Sequence, residues 1–268
     1  MNISSKLQRR TSAKYGEWAV ITGASSGIGK ELSYAVAACG LNIVLIARDQ
    51  VRLELVKEEV ENSYHTKVEV VKADLAENYM DLLFDSFKDK TIGLFVASAG
   101  FGTSGNFIDN SVHEELNMLD VNCRALLRLT HHFAQLFAGQ NRGGIILLSS
   151  IVGFQGVPYS ANYAATKAYV QSLAEGLYHE LKPHSVDVLS AAPGPVETGF
   201  GTRANMNMGN AMKPDQIAIP ILKALGKKST VLPGLLSKVL VYSLRTVPRW
   251  GKIRIMKLVM KGMTRHEH

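Results

Sequence analysis

Thr22-Gly23-Ala24-Ser25-Ser26-Gly27-Ile28-Gly29 is the stretch that decides the fold. It follows the apolar run Trp18 to Ile21, which reads as a buried strand. It opens a helical stretch, Lys30 to Cys39, with apolar side chains at Leu32, Ala35, Val36 and Ala38. A strand, a tight glycine turn and a helix make the first unit of a dinucleotide-binding α/β fold. The glycines let backbone approach a pyrophosphate, and the helix N-terminus supplies amide donors and the positive end of its dipole. Gly23, Ser25, Ser26, Gly27, Ile28 and Gly29 are therefore the candidate phosphate cradle.

Working outward, apolar strand-like runs alternate with helical stretches. Further strands are expected over Leu41 to Ala47, Val68 to Val71, Ile92 to Ala97, Gly144 to Ser149, Val186 to Ala191 and Thr230 to Leu232. Helices are expected over Asp49 to Ser63, Leu75 to Lys88, Ser111 to Ala138, Ser160 to Lys182 and Asp215 to Leu225. Strands buried on both faces with helices between them predict α/β architecture: a doubly wound parallel sheet of about seven strands, Rossmann-like, with helices on both faces. No Pro/Gly/Ser linker divides the chain. One catalytic domain is expected over 16–232, between a basic N-terminal extension, 1–15, and a basic, partly apolar C-terminal extension, 233–268.

In such sheets ligands bind beyond the C-terminal ends of the strands. Gly23, Arg48, Asp74, Gly100, Ser150 and Pro193-Gly194 each follow a different predicted strand. Tyr163 and Lys167, at i and i+4, share a helix face, with Ser150 thirteen residues before the tyrosine. An ammonium one turn away can lower a phenol's pKa from about 10 toward neutrality, which fits it for proton exchange with a carbonyl or alcohol oxygen.

These motifs together resemble the short-chain dehydrogenase/reductase superfamily, over roughly residues 16–232. The resemblance implies an oxidoreductase with Tyr163 as acid/base. It implies that Lys167 lowers the phenol's pKa and holds the nicotinamide ribose, and that Ser150 hydrogen-bonds the substrate oxygen. It implies Asn122 positioning a water beside the lysine and Asp74 contacting the adenine. Pro193, Gly194, Val196 and Thr198 would pass the nicotinamide, and Ala99 and Gly100 would flank the cofactor. Ser98 stands where the family has asparagine, which removes one hydrogen bond behind the cofactor. At the end of the second strand an acid would accept from a ribose 2′-hydroxyl; Arg48 suits a 2′-phosphate, so NADP is favoured over NAD. The alternative of another class is a non-catalytic NADP(H)-sensing or scaffolding protein of the same fold. Assembly as a homodimer or homotetramer is expected.

Charge divides unevenly. Residues 1–15 carry +4, residues 227–268 carry +9, and residues 16–226 carry −6, for a total of +7. The basic ends, on an acidic body, do not form the stripe of a nucleic-acid-binding face; they look like segments that meet an anionic surface. Two cysteines, Cys39 and Cys123, exclude a disulfide framework and fit a reducing compartment. The histidines, His131-His132 included, show no metal-ligand spacing, so no metal is expected. The apolar stretch Val239 to Leu244 is far too short to span a bilayer. A cytoplasmic protein is expected, with membrane association through residues 235–263 kept open.

The stretch Gly199 to Lys213 would fold over the substrate. It carries Phe200, Met206, Met208 and Met212, and Arg203 is its one charge before Lys213. Flexible thioethers suit an adaptable apolar pocket. The expected substrate is an apolar ketone or secondary alcohol of the acyl-chain, steroid or retinoid kind. Residues 235–263 have three open roles: packing on the body or a partner subunit, a lid, or a membrane-surface anchor.

Overall fold

In the computed structural model, which describes residues 3–77, 80–209 and 211–264, the apolar runs become seven strands. They are β1 (Trp18–Thr22), β2 (Asn42–Ala47), β3 (Val68–Lys72), β4 (Ile92–Ala97), β5 (Gly143–Leu148), β6 (Val186–Ala191) and β7 (Thr230–Val231). All pair in parallel, in the order β3-β2-β1-β4-β5-β6-β7. Strand order reverses between β1 and β4, and the crevice at such a switch point is where these sheets hold ligands.

The continuous apolar runs are explained by a layer of helices on each side. Ile21, Leu45, Val96, Ile146 and Leu189 face one layer, α2 (Gly27–Ala37), α3 (Gln50–Tyr64) and α9 (Asp215–Ala224). Their neighbours Val20, Val44, Phe95, Ile145 and Val188 face the other, with α6 (Leu126–Gln140) and α7 (Ala161–Glu180). Side chains alternate across a strand, so a run apolar at every position feeds both cores. Each such side chain, fully buried, contributes roughly 1.5–3 kcal/mol of transfer free energy.

Three elements depart from the sequence reading. The basic N-terminal stretch contains a helix, α1 (Ser5–Tyr15), with Leu7, Thr11 and Tyr15 buried at four-residue spacing. The Tyr15 hydroxyl donates to Asp187 Oδ2 at 2.7 Å, Lys14 pairs with the same oxygen at 2.5 Å, and Arg10 donates to the Leu222 and Lys223 carbonyls that end α9. Cations read as meeting an external surface are thus partly engaged by the body, a guanidinium at a helix C-terminus being favourable. The helix expected over 75–88 shrinks to α4 (Met80–Asp85) between turns. The long helix expected over 111–138 is α5 (Val112–Leu119) and α6 joined by a π-helical turn, Asp120–Ala125, which contains Asn122.

After β6 come α8 (Gly199–Arg203) and, after β7, α10 (Leu235–Ser243) and α11 (Arg249–Met263). Cys39 is buried, Cys123 half-buried, and neither is in a disulfide. His132 stacks on Phe84 at 3.9 Å between ring centroids, a packing role.

Candidate active site

A cleft of about 830 Å³ lies over the C-terminal ends of the strands. Gly23, Ser25, Ser26, Gly27, Ile28, Gly29, Arg48, Asp74, Ala99, Gly100, Ser150, Tyr163, Lys167, Pro193, Gly194, Val196 and Thr198 all line it. Asn122 sits behind the lining and is 1% exposed.

At one end the cradle is backbone packed on backbone. Gly23 has φ +67°, and a Cβ there would lie 2.7 Å from the Ala99 nitrogen. One on Gly29 would overlap the Gly23 carbonyl. Thr22 Oγ1 accepts from the amides of Ser98 and Ala99, each at 3.2 Å. The ends of β1 and β4 are thus tied together although Ser98 replaces the family's asparagine. Ser26, the N-cap of α2, makes no side-chain cap hydrogen bond, which leaves the first-turn amides directed at the cleft. A dinucleotide pyrophosphate fits these residues: glycine backbone on one side, helix-end amides on the other.

Arg48, half-exposed, stands 3.5 Å from Asp74 Oδ2, and Asp74 Oδ1 accepts from the Ala76 amide at 3.0 Å. Asp49, the acid beside Arg48, is engaged elsewhere: it caps α3 from Arg52 N at 3.0 Å and pairs with Arg52 Nε at 3.2 Å. Arg203, which sequence reasoning noted only as a loop charge, lies over the Phe101 ring, its guanidinium carbon 3.6 Å from the centroid. Burial and the nearby Arg48 push its guanidinium's pKa down. This end of the cleft therefore holds two guanidiniums that act on each other, with Asp74 close to both.

At the other end α7 brings Tyr163 and Lys167 under Ser150. Ser150 lies close enough to the Tyr163 phenol to act on its pKa; its hydroxyl accepts from Val152 N at 3.4 Å and donates to the Pro193 carbonyl at 3.5 Å. Lys167 Nζ donates to the Leu148 carbonyl at 2.8 Å and lies 5.7 Å from the Tyr163 ring centroid. Ser149 ties this part of α7 to β5 by donating to the Lys167 carbonyl at 2.9 Å.

The electrostatics differ from the simple i, i+4 reading. Burial drives the Tyr163 phenol's pKa up, and only Ser150 opposes it. Burial also pushes Lys167 down to about 8, with Cys123 acting in the opposite sense. The site as it stands favours a protonated phenol, because burial disfavours the phenolate.

The Asn122 side chain is fully engaged within the protein. Its Nδ2 donates to the Phe101 carbonyl at 2.8 Å and to Thr166 Oγ1 at 3.1 Å, and its Oδ1 accepts from Phe101 N at 3.1 Å. The side chain braces the turn after β4 against α7.

The substrate side is apolar. The Phe200 ring centroid is 5.1 Å from that of Tyr163, and Met206 and Met208 line the cleft. Met212 does not; its backbone bonds Pro195 and Glu197 at 3.0 and 2.8 Å. The C-terminal extension closes the far wall with Leu240, Leu244, Met256, Met260 and Met263. Ser237, which no sequence pattern singled out, is 1% exposed and accepts from the Gly194 amide at 2.9 Å, which joins α10 to the segment after β6. The substrate loop and the tail are tied by Asn207 N donating to the Met263 carbonyl at 2.7 Å.

A family model described as short chain dehydrogenase matches residues 17–209. A 7beta-hydroxysteroid dehydrogenase of Mediterraneibacter gnavus is 29% identical over 243 residues, 85% of this chain and 90% of that protein. A solved structure described as giving insight into 7beta-hydroxysteroid dehydrogenase stereoselectivity superposes with TM-score 0.85 at 27% identity, covering 92% of this chain and 98% of the other. A short-chain dehydrogenase from Sphingobium yanoikuyae, solved in complex with NADPH, superposes with TM-score 0.77 at 26% identity, covering 94% and 98%. The matched stretch runs from β1 through the cradle and the Ser150–Tyr163–Lys167 cluster, and the chain belongs to the short-chain dehydrogenase/reductase superfamily, enzymes acting on CH–OH or C=O groups.

Proposed function

We propose that this enzyme is an NADP-dependent oxidoreductase for an apolar ketone or its secondary alcohol. The carrying observation is that Ser150, Tyr163 and buried Lys167 line one cleft, where the backbone cradle meets the methionine-lined pocket. A bound nicotinamide supplies or accepts the hydride. Ser150 orients the substrate oxygen. In the reductive direction the Tyr163 O–H gives its proton to that oxygen, and the phenolate left behind is stabilised by Lys167 and reprotonated from solvent. A phenol kept protonated by burial suits this direction.

Arg48, with Arg203 near it, supports NADP over NAD, because guanidiniums make charge-assisted, bidentate bonds to a 2′-phosphate and only a single weaker one to a bare 2′-hydroxyl. The apolar wall supports a bulky hydrophobic substrate, and the similarity to a 7beta-hydroxysteroid dehydrogenase makes a steroid the first class to test. For partners, the reading includes a homodimer formed through the exposed Val112, Leu116 and Leu127 of α5 and α6 and Tyr169 of α7, and peripheral membrane contact through 235–263.

Following NADPH and NADH oxidation against steroid ketones, 3-oxoacyl thioesters and retinal tests the proposal. Turnover of an apolar ketone with NADPH, lost in Tyr163→Phe, is expected. Tight NADPH binding without turnover of any ketone would instead favour an NADP(H) sensor.

A further inference from the structure

Helices α10 and α11 form an unpartnered surface. Only Ser237 on the first and Met260 on the second are buried. Leu235 and Leu258 are 77% and 73% exposed, and Val239, Tyr242 and Trp250 are exposed beside them. Residues 235–263 hold seven Lys and Arg and no Asp or Glu. Among the described residues no carboxylate lies within ion-pair distance of any of the seven. Two guanidiniums lie against aromatic rings instead, Arg245 at 5.7 Å from Tyr242 and Arg254 at 5.2 Å from Trp250.

The catalytic cleft opens on this surface. Leu240, Ile255 and Val259 line the cleft, yet they are 37%, 39% and 44% exposed.

We propose that α10 and α11 dock the enzyme on an anionic lipid surface and that the apolar substrate passes from the lipid into the cleft between them. The second half rests on the apolar-substrate reading; the first does not. Lipid phosphates supply the negative charge that this segment lacks, and acyl chains accept its exposed Leu, Val and Trp side chains. A two-fold contact with a second copy fits worse, since it would set seven cations against seven. The net −6 of residues 16–226 is repelled by the same surface, which disfavours contact through the body. Among the described residues no helix is long and apolar enough to cross a membrane, so the contact is interfacial.

The test uses the full chain and vesicles of phosphatidylcholine with or without phosphatidylglycerol. The wild type should co-sediment with the anionic vesicles at low salt and be released at high salt. Lys257→Gln with Lys261→Gln, at about five-fold per charge, should weaken partitioning about 25-fold while NADPH binding is kept. A water-insoluble ketone dissolved in anionic vesicles should be reduced faster than in neutral ones, and the double variant should lose that advantage while reducing a soluble ketone normally. Wild-type protein left in the supernatant at low salt, equal binding to neutral vesicles, or undiminished binding by the double variant would overturn docking. So would a Leu258→Ser variant that converts a dimer to monomer. Docking without the rate advantage overturns the lipid route. Sedimentation requires no turnover, so an enzyme that reduces no ketone is recognised separately.

Discussion

Lys167→Met should abolish turnover, and its stability relative to the wild type should change with pH in one direction only. Lys167 is 6% exposed, and burial lowers its pKa from 10.5 to about 8. At about 1.4 kcal/mol per pH unit, holding the ammonium in the cofactor-free fold costs roughly 3 kcal/mol at pH 7. Below the folded value of about 8 the group is charged whether folded or unfolded, and the full cost applies. Between about 8 and 10.5 the unfolded chain binds more protons than the folded one, so wild-type stability rises with pH. Methionine removes the charge but leaves the Leu148 carbonyl without its donor, a loss of about 1–3 kcal/mol that does not depend on pH. At pH 7 the two effects largely offset. From pH 7 to 9 the wild type should gain on the variant by about 1 kcal/mol. Urea unfolding of both cofactor-free proteins across that range measures the gap. A gap that stays constant, or that moves in the variant's favour, would mean the ammonium is well solvated and the argument from burial fails.

Three further outcomes follow from the same geometry. Tyr163→Phe should reduce turnover by roughly 10²–10⁴-fold with NADPH affinity nearly unchanged; retention of more than about a tenth of the activity would remove the phenol from the acid/base role. Arg48→Ala should weaken NADPH binding by about 1.5–3 kcal/mol and leave NADH binding almost untouched, as titration of each cofactor would show; equal wild-type affinities would sink the assignment. Ser237→Ala strips the Gly194 amide of its acceptor, so urea unfolding should show a loss of roughly 1–3 kcal/mol, and an unchanged midpoint would mean that amide has another partner.

The sheet was legible because its strands are covered on both faces. Ile43 to Ile46 and Ile145 to Leu148 must be apolar at every position, and such runs are visible without any partner in view. The cradle was legible because its parts follow one another along the chain. Helix α1 was not. Its buried face is only Leu7, Thr11 and Tyr15, set in an otherwise polar stretch, and Tyr15 is anchored by Asp187, 172 positions away. Separation along the chain also hid Ser237 and its bond to Gly194, and hid the contact of Arg203 with Phe101.

Within the catalytic cluster, the sequence placed the right groups together but could not say what surrounds them. Spacing puts Lys167 one turn from Tyr163, and from that alone the ammonium should lower the phenol's pKa. In the fold, Lys167 turns to the Leu148 carbonyl at the end of β5, and both groups are desolvated. Asn122 shows the same limit. The apolar pattern of α5 and α6 reads as one helix, yet the chain passes through a π turn at Asp120–Ala125, an irregularity found often at functional sites. Within that turn the Asn122 amide exchanges two hydrogen bonds with the Phe101 backbone and donates a third to Thr166 on α7. The turn after β4, the widened helix and the tyrosine-bearing helix are thereby fixed to one another by a single side chain. An asparagine in a helix looks like a weak helix former in sequence; what makes it informative is the three-way junction it satisfies.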